Sequence, residues 1–236
     1  MEEQRILLII PAFNEAETIE HVVNGLTVNF PQYDYVVVND GSSDGTGELC
    51  MEKGYQVLNL PINLGIGGAV QTGYRYALKH GYDIAVQLDG DGQHDAAYVK
   101  KLIEPLLAEE ADVVIGSRFL RREGFQSSRS RRMGINILSD LIWMCTGKRI
   151  RDVTSGFRAV NRKFISIYAE DYPSDYPEPE AIITAVMHRG RVAEVPVVMK
   201  EREGGTSSIT FRKSVYYMIK VTLAILVKRI SYGIRR

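Results

Sequence analysis

Asp89 and Asp91 stand one residue apart in the stretch Gln87-Leu88-Asp89-Gly90-Asp91-Gly92-Gln93-His94-Asp95, directly after an apolar run. Two carboxylates at that spacing can converge on one site when the chain turns tightly, and the glycines at 90 and 92 permit the turn. Oxygen ligands of this kind suit Mg²⁺ or Mn²⁺, and Mg²⁺ in particular is usually held by one or two carboxylates together with phosphate oxygens of a bound ligand. Asp89, Asp91 and the nearby Gln93 are therefore the candidate metal and diphosphate group. The competing account is a solvated turn, which short Asp/Gly clusters usually form.

Two other loops carry polar residues of the same kind. Pro11-Ala12-Phe13-Asn14-Glu15 follows one apolar run and Asn39-Asp40-Gly41-Ser42-Ser43-Asp44-Gly45-Thr46 follows another. Asp40 is placed to accept hydrogen bonds from a base or a ribose hydroxyl. Asp44 reads as the cap of the helix after it, and Glu15 as an early helical residue that favours the helix dipole. The glycines of Asn63-Leu64-Gly65-Ile66-Gly67-Gly68-Ala69-Val70 do not complete a dinucleotide fingerprint, because Val70 stands where the third glycine is required. Close backbone approach at a helix N-terminus is the remaining reading of that stretch.

The elements that must position these loops alternate. Strand-like runs at 6–10, 35–38, 56–60, 84–88 and 113–115 are separated by helical patterns at 16–28, 45–53, 68–80 and 97–109. Such alternation predicts an α/β fold with a mainly parallel sheet covered by helices on both faces. Ligands of such sheets bind beyond the carboxyl ends of the strands, which is where the three loops fall. Beyond residue 116 the pattern is less regular, with a helix expected over 133–146, a strand near 154–160, and a proline-broken loop at 175–180. No internal repeat or low-complexity linker divides the chain, so a second independent domain is not expected.

The chain of 236 residues can bury a full core without staples, and its two cysteines, Cys50 and Cys145, have no metal-ligand spacing. Together with a strand almost at the N-terminus, this favours a reducing, cytosolic setting without a signal peptide. Net charge is zero, but arginines crowd 118–132 and basic residues recur through 212–236. These are two anion-facing regions hidden in a balanced total. They lack interleaved stacking aromatics, so no nucleic-acid partner is expected.

The motifs in order, with Ile115-Gly116-Ser117-Arg118, Asp152-Val153-Thr154-Ser155-Gly156-Phe157-Arg158 and the segment 202–207, resemble the family 2 glycosyltransferases. Within that family they are similar to the branch of dolichol-phosphate mannose synthase and bacterial polyprenyl-phosphate glycosyltransferases. The resemblance covers about residues 5–210. It implies a GT-A (Rossmann-like) fold over 1–210 and inverting transfer from a nucleotide-diphosphate sugar, UDP- or GDP-linked. Carried over to matching positions, Pro11, Asn14, Glu15 and Asp40 face the nucleotide, while Asp89, Asp91 and Gln93 surround the metal and diphosphate. Arg118, Arg131 and Arg202 engage anionic phosphate, with Arg132 inseparable from Arg131 at this level; arginine's fork suits phosphate better than lysine's point charge.

The acceptor follows from chemistry. A sugar hydroxyl normally needs a general base, whereas a phosphate monoester, with a second pKa of about 6, already presents a nucleophilic oxygen at neutral pH. No Glu-Asp pair stands in the middle region where relatives acting on sugars carry one, so polyprenyl phosphate is the expected acceptor. Glu170-Asp171 and the acids of 175–180 keep a saccharide acceptor as an alternative. A non-catalytic nucleotide-sugar-binding subunit is a third reading.

The last segment, 211–236, has too short an apolar run for a bilayer span, which takes about 20 residues. It reads as an amphipathic helix that lies on a membrane surface or docks on a small membrane protein. Some relatives continue into membrane spans, and this chain stops after the one segment. The expected location is therefore the cytoplasmic face of a membrane, with oligomeric state left open.

Overall fold

A computed structural model describes residues 4–121, 123, 124, 126, 128–200 and 211–234, with the backbone alone at 129, 130, 211–216 and 231–234. Seven strands form one sheet in the order β3-β2-β1-β4-β6-β5-β7. Strands β1 (Ile6–Ala12), β2 (Asp34–Asn39), β3 (Val57–Asn59) and β4 (Ile84–Gln87) are parallel, as expected. Strand β6 (Arg158–Asn161) runs antiparallel between β4 and β5 (Val113–Ser117), and β7 (Val192–Pro196) returns parallel to β5.

The sheet is buried on both sides, so its strands are near-continuous apolar runs. Along β1, Leu7 and Ile9 face one core cluster while Leu8 and Ile10 face the other, the period-2 alternation of a strand. On the second side lie α1 (Ile19–Asn29), α2 (Thr46–Glu52) and α4 (Val99–Leu107), through residues such as Val23, Cys50 and Leu102. On the first side lie α3 (Gly65–Lys79), α5 (Arg129–Thr146), α6 (Arg162–Glu170), α7 (Pro177–Met187) and α8 (Phe211–Ile234), contributing Tyr74, Leu138, Tyr168, Ile182 and Ile225.

Four elements differ from the sequence reading. Residues 14–18 turn before α1 begins, because the Glu15 carbonyl accepts the N–H groups of both Thr18 and Ile19. The acidic, proline-containing stretch is not a broken loop: Pro177 opens α7 and Pro179 lies in its first turn, where a missing N–H costs no helical hydrogen bond. Strand β7 and helix α6 were not anticipated. The sequence Val-Ala-Glu-Val-Pro of β7 is only partly buried and carries a weak apolar signal.

Helix α5 is closed at both ends. Ser128 Oγ accepts from Arg131 N–H at 3.3 Å, and Gly147, left-handed at φ 71°, donates to Trp143 O.

Candidate active site

The carboxyl ends of β2, β1 and β4 lie side by side, and the three polar loops that leave them are joined by hydrogen bonds. Asn14 adopts φ 55°, which asparagine tolerates better than most residues. In that conformation its N–H donates to Ser42 Oγ at 3.0 Å and its Oδ1 accepts from Ser43 N–H at 2.9 Å. Glu15 N–H donates to Thr46 Oγ1, and Ala16 N–H to Asp44 Oδ2, both at 3.0 Å. Asp44 Oδ1 also accepts the N–H of Thr46, the first residue of α2. The N-cap position itself is Gly45, so Asp44, one residue earlier, is not the cap expected from the sequence but still satisfies the first helical N–H and ties the helix to the first loop. Burial pushes its carboxyl up, but the hydrogen bonds from Thr46 and Ala16 outweigh this and hold it below the usual range.

Asp40 is buried, and its Oδ1 accepts Leu64 N–H at 2.7 Å. Burial raises its pKa against the opposing N–H groups of Leu64 and Gly65. The Asn63–Gly68 stretch is therefore held by Asp40 on one side. On the other, Gly67 N–H donates to Ser174 O at 3.1 Å, so close that a methyl group at 67 would meet Pro173 O at 1.9 Å. The glycine serves close backbone packing at the start of α3.

The Asp89-Gly90-Asp91 turn sits against the same wall. Gly90 packs on the carbonyl of Pro11, and its own carbonyl lies 3.0 Å from the Thr18 hydroxyl, which is 2.9 Å from Glu15 Oε2. Gln87 Nε2 donates to Asp89 Oδ1 at 3.1 Å, and Asp89 N–H donates to His94 Nδ1 at 3.0 Å. The His94 ring is buried and stacks on Phe157 with centroids 4.8 Å apart. Asp91 Oδ1 accepts Gln93 N–H at 3.0 Å. The Gln93 side chain turns toward Lys200, with Nε2 at 3.5 Å from its carbonyl, while Lys200 N–H donates to Gln93 O. Pro11, Asn14, Glu15, Asp40, Asp89 and Asp91 are thus brought to one crevice, with Gln93 at its edge.

Among the described residues no group of three or more His, Cys, Asp or Glu side chains could hold a metal. Asp89 and Asp91 alone form an oxygen-only, two-carboxylate set. Such a set fits a hard divalent cation whose remaining ligands come from phosphate and water.

The arginines divide. Arg118 is buried and paired bidentately with the fully buried Asp152, Nε to Oδ2 at 2.8 Å and Nη2 to Oδ1 at 2.7 Å; Nη2 also reaches Thr154 Oγ1 at 3.1 Å. Burial alone would lower the Arg118 pKa, but Asp152 more than reverses that, with Asp89 and Glu178 adding to it. Much of the Arg118 fork is thus committed within the protein. Arg131 is exposed at the start of α5, and the Arg132 guanidinium lies 3.3 Å over the Phe119 ring. Arg202, with the 202–207 segment, lies outside the described residues.

Two charged residues at the site had no role in the sequence reading. Arg158, fully buried, donates to the carbonyls of Ser155 and Glu178 at 2.8 Å each. The Glu178 carboxyl, at the N-terminal turn of α7, is pushed up by burial and by Asp89, with Arg158 the largest opposing influence. Only the proline-flanked spacing of acids at 175–180 hinted at Glu178. Arg158 stood in the 152–158 motif without a role of its own; besides the nearby Ser155 carbonyl, its partner is the Glu178 carbonyl, 20 residues further on.

The sequence profile of glycosyl transferase family 2 matches residues 7–167. The chain belongs to that family. It is a glycosyltransferase, and its seven-stranded sheet is the GT-A fold. Similar proteins include the UDP-N-acetylglucosamine–dolichyl-phosphate N-acetylglucosaminyltransferase of Methanococcus voltae, 31% identical over 84% of this chain and 86% of that one. The polyprenol monophosphomannose synthase of Mycolicibacterium smegmatis is 31% identical over 88% and 82%, and the undecaprenyl-phosphate mannosyltransferase of Micrococcus luteus 30% over 87% and 88%. Among solved structures, glucosyl-3-phosphoglycerate synthase from Mycobacterium tuberculosis, in complex with Mn²⁺, UDP and glucosyl-3-phosphoglycerate, superposes with a TM-score of 0.71 at 21% identity, covering 96% of this chain and 80% of that one.

Proposed function

We propose that this glycosyltransferase moves a sugar from a UDP- or GDP-linked donor to polyprenyl phosphate, with inversion at the anomeric carbon. The observation that carries the site assignment is the Asp89/Asp91 carboxylate pair beside the hydrogen-bonded loops of Asn14, Glu15 and Asp40. The lipid-phosphate acceptor is supported by relatives named for dolichyl, polyprenol and undecaprenyl phosphate.

In this reading Pro11, Asn14, Glu15 and Asp40 shape the nucleotide side, and Asp89 and Asp91 hold Mg²⁺ or Mn²⁺, with Gln93 at the margin. The cation supplies charge neutralisation at the diphosphate leaving group. Gln87 and His94 orient Asp89. Arg131, with Arg132 beside it in the sequence, binds the acceptor phosphate, together with Arg202, which lies outside the described residues. Arg118 acts chiefly by placing the end of β5 through Asp152. An acceptor phosphate oxygen attacks the anomeric carbon in line as the bond to the β-phosphate oxygen breaks, and the nucleoside diphosphate leaves. No proton needs to be removed, so catalysis rests on positioning and electrostatics. The reaction runs at the cytoplasmic face of a membrane, where such a lipid is presented.

One observation favours a second reading. Glu178, near Asp89 and with a raised pKa, has the character of a general base for a saccharide hydroxyl.

The test is nucleoside diphosphate release with Mg²⁺ or Mn²⁺ across UDP- and GDP-sugars, with and without a short polyprenyl phosphate, using Asp91→Ala as control. Release that needs the lipid phosphate and vanishes in Asp91→Ala is expected. Release with saccharide alone would replace the acceptor, and an unaffected Asp91→Ala would remove the metal assignment.

A further inference from the structure

The segment 171–176 joins α6 to α7 and touches the donor side of the crevice on one flank and α8 on the other. Its start is firmly placed. Arg75 Nε and Gln71 Nε2, both on α3, donate to the carbonyls of Ala169 at 3.0 Å and Glu170 at 3.3 Å, and Tyr172 is buried edge-on against Tyr74 and Tyr168. Pro173 to Tyr176, by contrast, are partly or fully exposed. The course of their backbone therefore depends on what grips it from each flank.

On the donor flank that grip is the start of α3. Ser174 O accepts Gly67 N–H at 3.1 Å, and a methyl group at 65 would lie 3.6 Å from the same oxygen and 4.0 Å from Asp175 Oδ1. Gly65 is left-handed at φ 79°. The residue before it is Leu64, whose N–H the Asp40 carboxylate accepts at 2.7 Å. Asp40 and residues 173–175 thus hold the Leu64–Gly67 turn from opposite sides.

On the other flank the grip comes from α8, which is itself anchored by Val221 and Ile225 in the core. Lys220 Nζ pairs with Asp175 Oδ2, and Lys228 Nζ with Asp171 Oδ2 at 3.4 Å. Tyr217, one helical turn before Lys220, packs edge-on against Tyr176 with ring centroids 4.6 Å apart. Tyr176 is left-handed at φ 52° and ψ 57°, a conformation that a bulky residue keeps only where its surroundings over-determine it. Burial pushes the Tyr217 hydroxyl up, with the Glu178 carboxyl adding to the rise, so this ring reaches the first turn of α7.

We propose that Lys220 and Tyr217 of α8 are positioning residues for donor binding. They fix the 173–176 backbone, and Ser174 O and the Gly65–Gly67 turn carry that constraint to the Leu64 N–H and so to Asp40 at the nucleotide. Neither residue touches the donor, and the link is a contiguous run of contacts. An equilibrium coupling is reciprocal, so bound nucleotide should in turn slow amide exchange in α8 around 217–220. The donor role rests on the reading of the Asp40 crevice as the nucleotide site; the mechanical link from α8 to α3 does not.

Two readouts on the full chain keep those apart. Amide hydrogen exchange of the free protein follows the Leu64 and Gly67 N–H groups, and equilibrium titration with UDP and with GDP, in the presence of Mn²⁺, follows the nucleotide site. The variants are Lys220→Asp, the swapped pair Lys220→Asp/Asp175→Lys, Tyr217→Ala and Tyr217→Phe. Lys53→Asp, which breaks a comparable ion pair with Glu20 on the other side of the sheet, is the control. Lys220→Asp should speed exchange at both amides and weaken the tighter nucleotide about threefold, the scale of an exposed ion pair. Tyr217→Ala should weaken it about fivefold, the scale of an aromatic pair. The swapped pair and Tyr217→Phe, which keeps the ring contact, should return to wild-type exchange and affinity, and Lys53→Asp should not depart from them. Because Lys220 is partly exposed, its variants test the proposal even where deleting the Tyr217 ring costs stability. Unchanged exchange and affinity in Lys220→Asp would overturn the proposal, as would a loss that the swapped pair fails to recover or that Lys53→Asp shares. A wild type that binds neither nucleotide, with Gly67 still loosened in Lys220→Asp, would refute the nucleotide reading and the donor role with it while leaving the link from α8 to α3 standing.

Discussion

Replacing Gly156 by alanine would set a methyl carbon 2.9 Å from Gln87 Nε2 and 3.2 and 3.3 Å from the two carboxylate oxygens of Asp89. Gly156 does not use the left-handed conformations reserved for glycine, so the backbone accepts alanine and the strain falls on those two side chains. Relieving contacts of this length to ordinary van der Waals separation takes roughly 0.5 Å, because well-packed atoms sit about 3.5–4.0 Å apart. Gln87 and Asp89 are hydrogen-bonded to each other, so they must move together, and Asp89 carries the displacement into the metal and diphosphate site. A shift of about 1 Å in a positioning group can cost about 100-fold in rate; half that distance predicts a loss of roughly tenfold in kcat. Crowding costs about 1 kcal/mol, offset by about 0.4–1 kcal/mol from the reduced freedom of the unfolded chain, so the thermal midpoint should barely move. Steady-state nucleoside diphosphate release, alongside a melting curve, reads both quantities. A variant within twofold of wild type in kcat would show that the Asp89 carboxylate does not need its present position and would refute the site as described.

Asp152→Ala should destabilise by about 3–5 kcal/mol, since it strands the buried Arg118 charge. Urea titration should show the combined Arg118→Met/Asp152→Leu variant recovering most of that loss. Gly67→Ala forces the start of α3 off the 173–174 backbone. A loss of about 2 kcal/mol and a raised donor KM are expected, because Leu64 N–H, which holds Asp40, moves with it; an unchanged KM would separate this loop from the donor. At the far end of the sheet, hydrogen bonds from Arg191 hold Asp112 down to about 2, against the upward push of burial. Because the folded pKa is depressed, its contribution of about 2 kcal/mol is complete above the unfolded value of about 4 and is lost as pH falls through about 2. Acid unfolding of Asp112→Asn should lack that component.

The first four strands and helices were legible because a parallel sheet buried on both faces leaves unbroken apolar runs such as Leu7–Ile10 and Val36–Val38, separated by helices with their own period. The later half was less so. Strand β6 starts with the buried Arg158, β7 is half-exposed, and α7 opens on prolines that look like loop residues until their place in its first turn is known. The loop motifs were legible for a related reason: a short turn at a strand end can be placed once the strand is recognised.

By its own local chemistry, the sequence determined the alternation of elements, the crevice side of the sheet and the Asp89/Asp91 pair, because each depends on residues close together in the chain. Tertiary structure alone decided the rest. Arg118, one of several clustered arginines, finds Asp152 34 residues away, and Asp89 is oriented partly by Phe157 packing on His94. The apolar residues of α5 are divided, Ile135, Leu138 and Ile142 entering the core while Met133, Ile137 and Met144 stay exposed. These outcomes depend on which segments meet, and a buried charge or an exposed apolar stripe acquires its meaning only from the partner that folding brings to it.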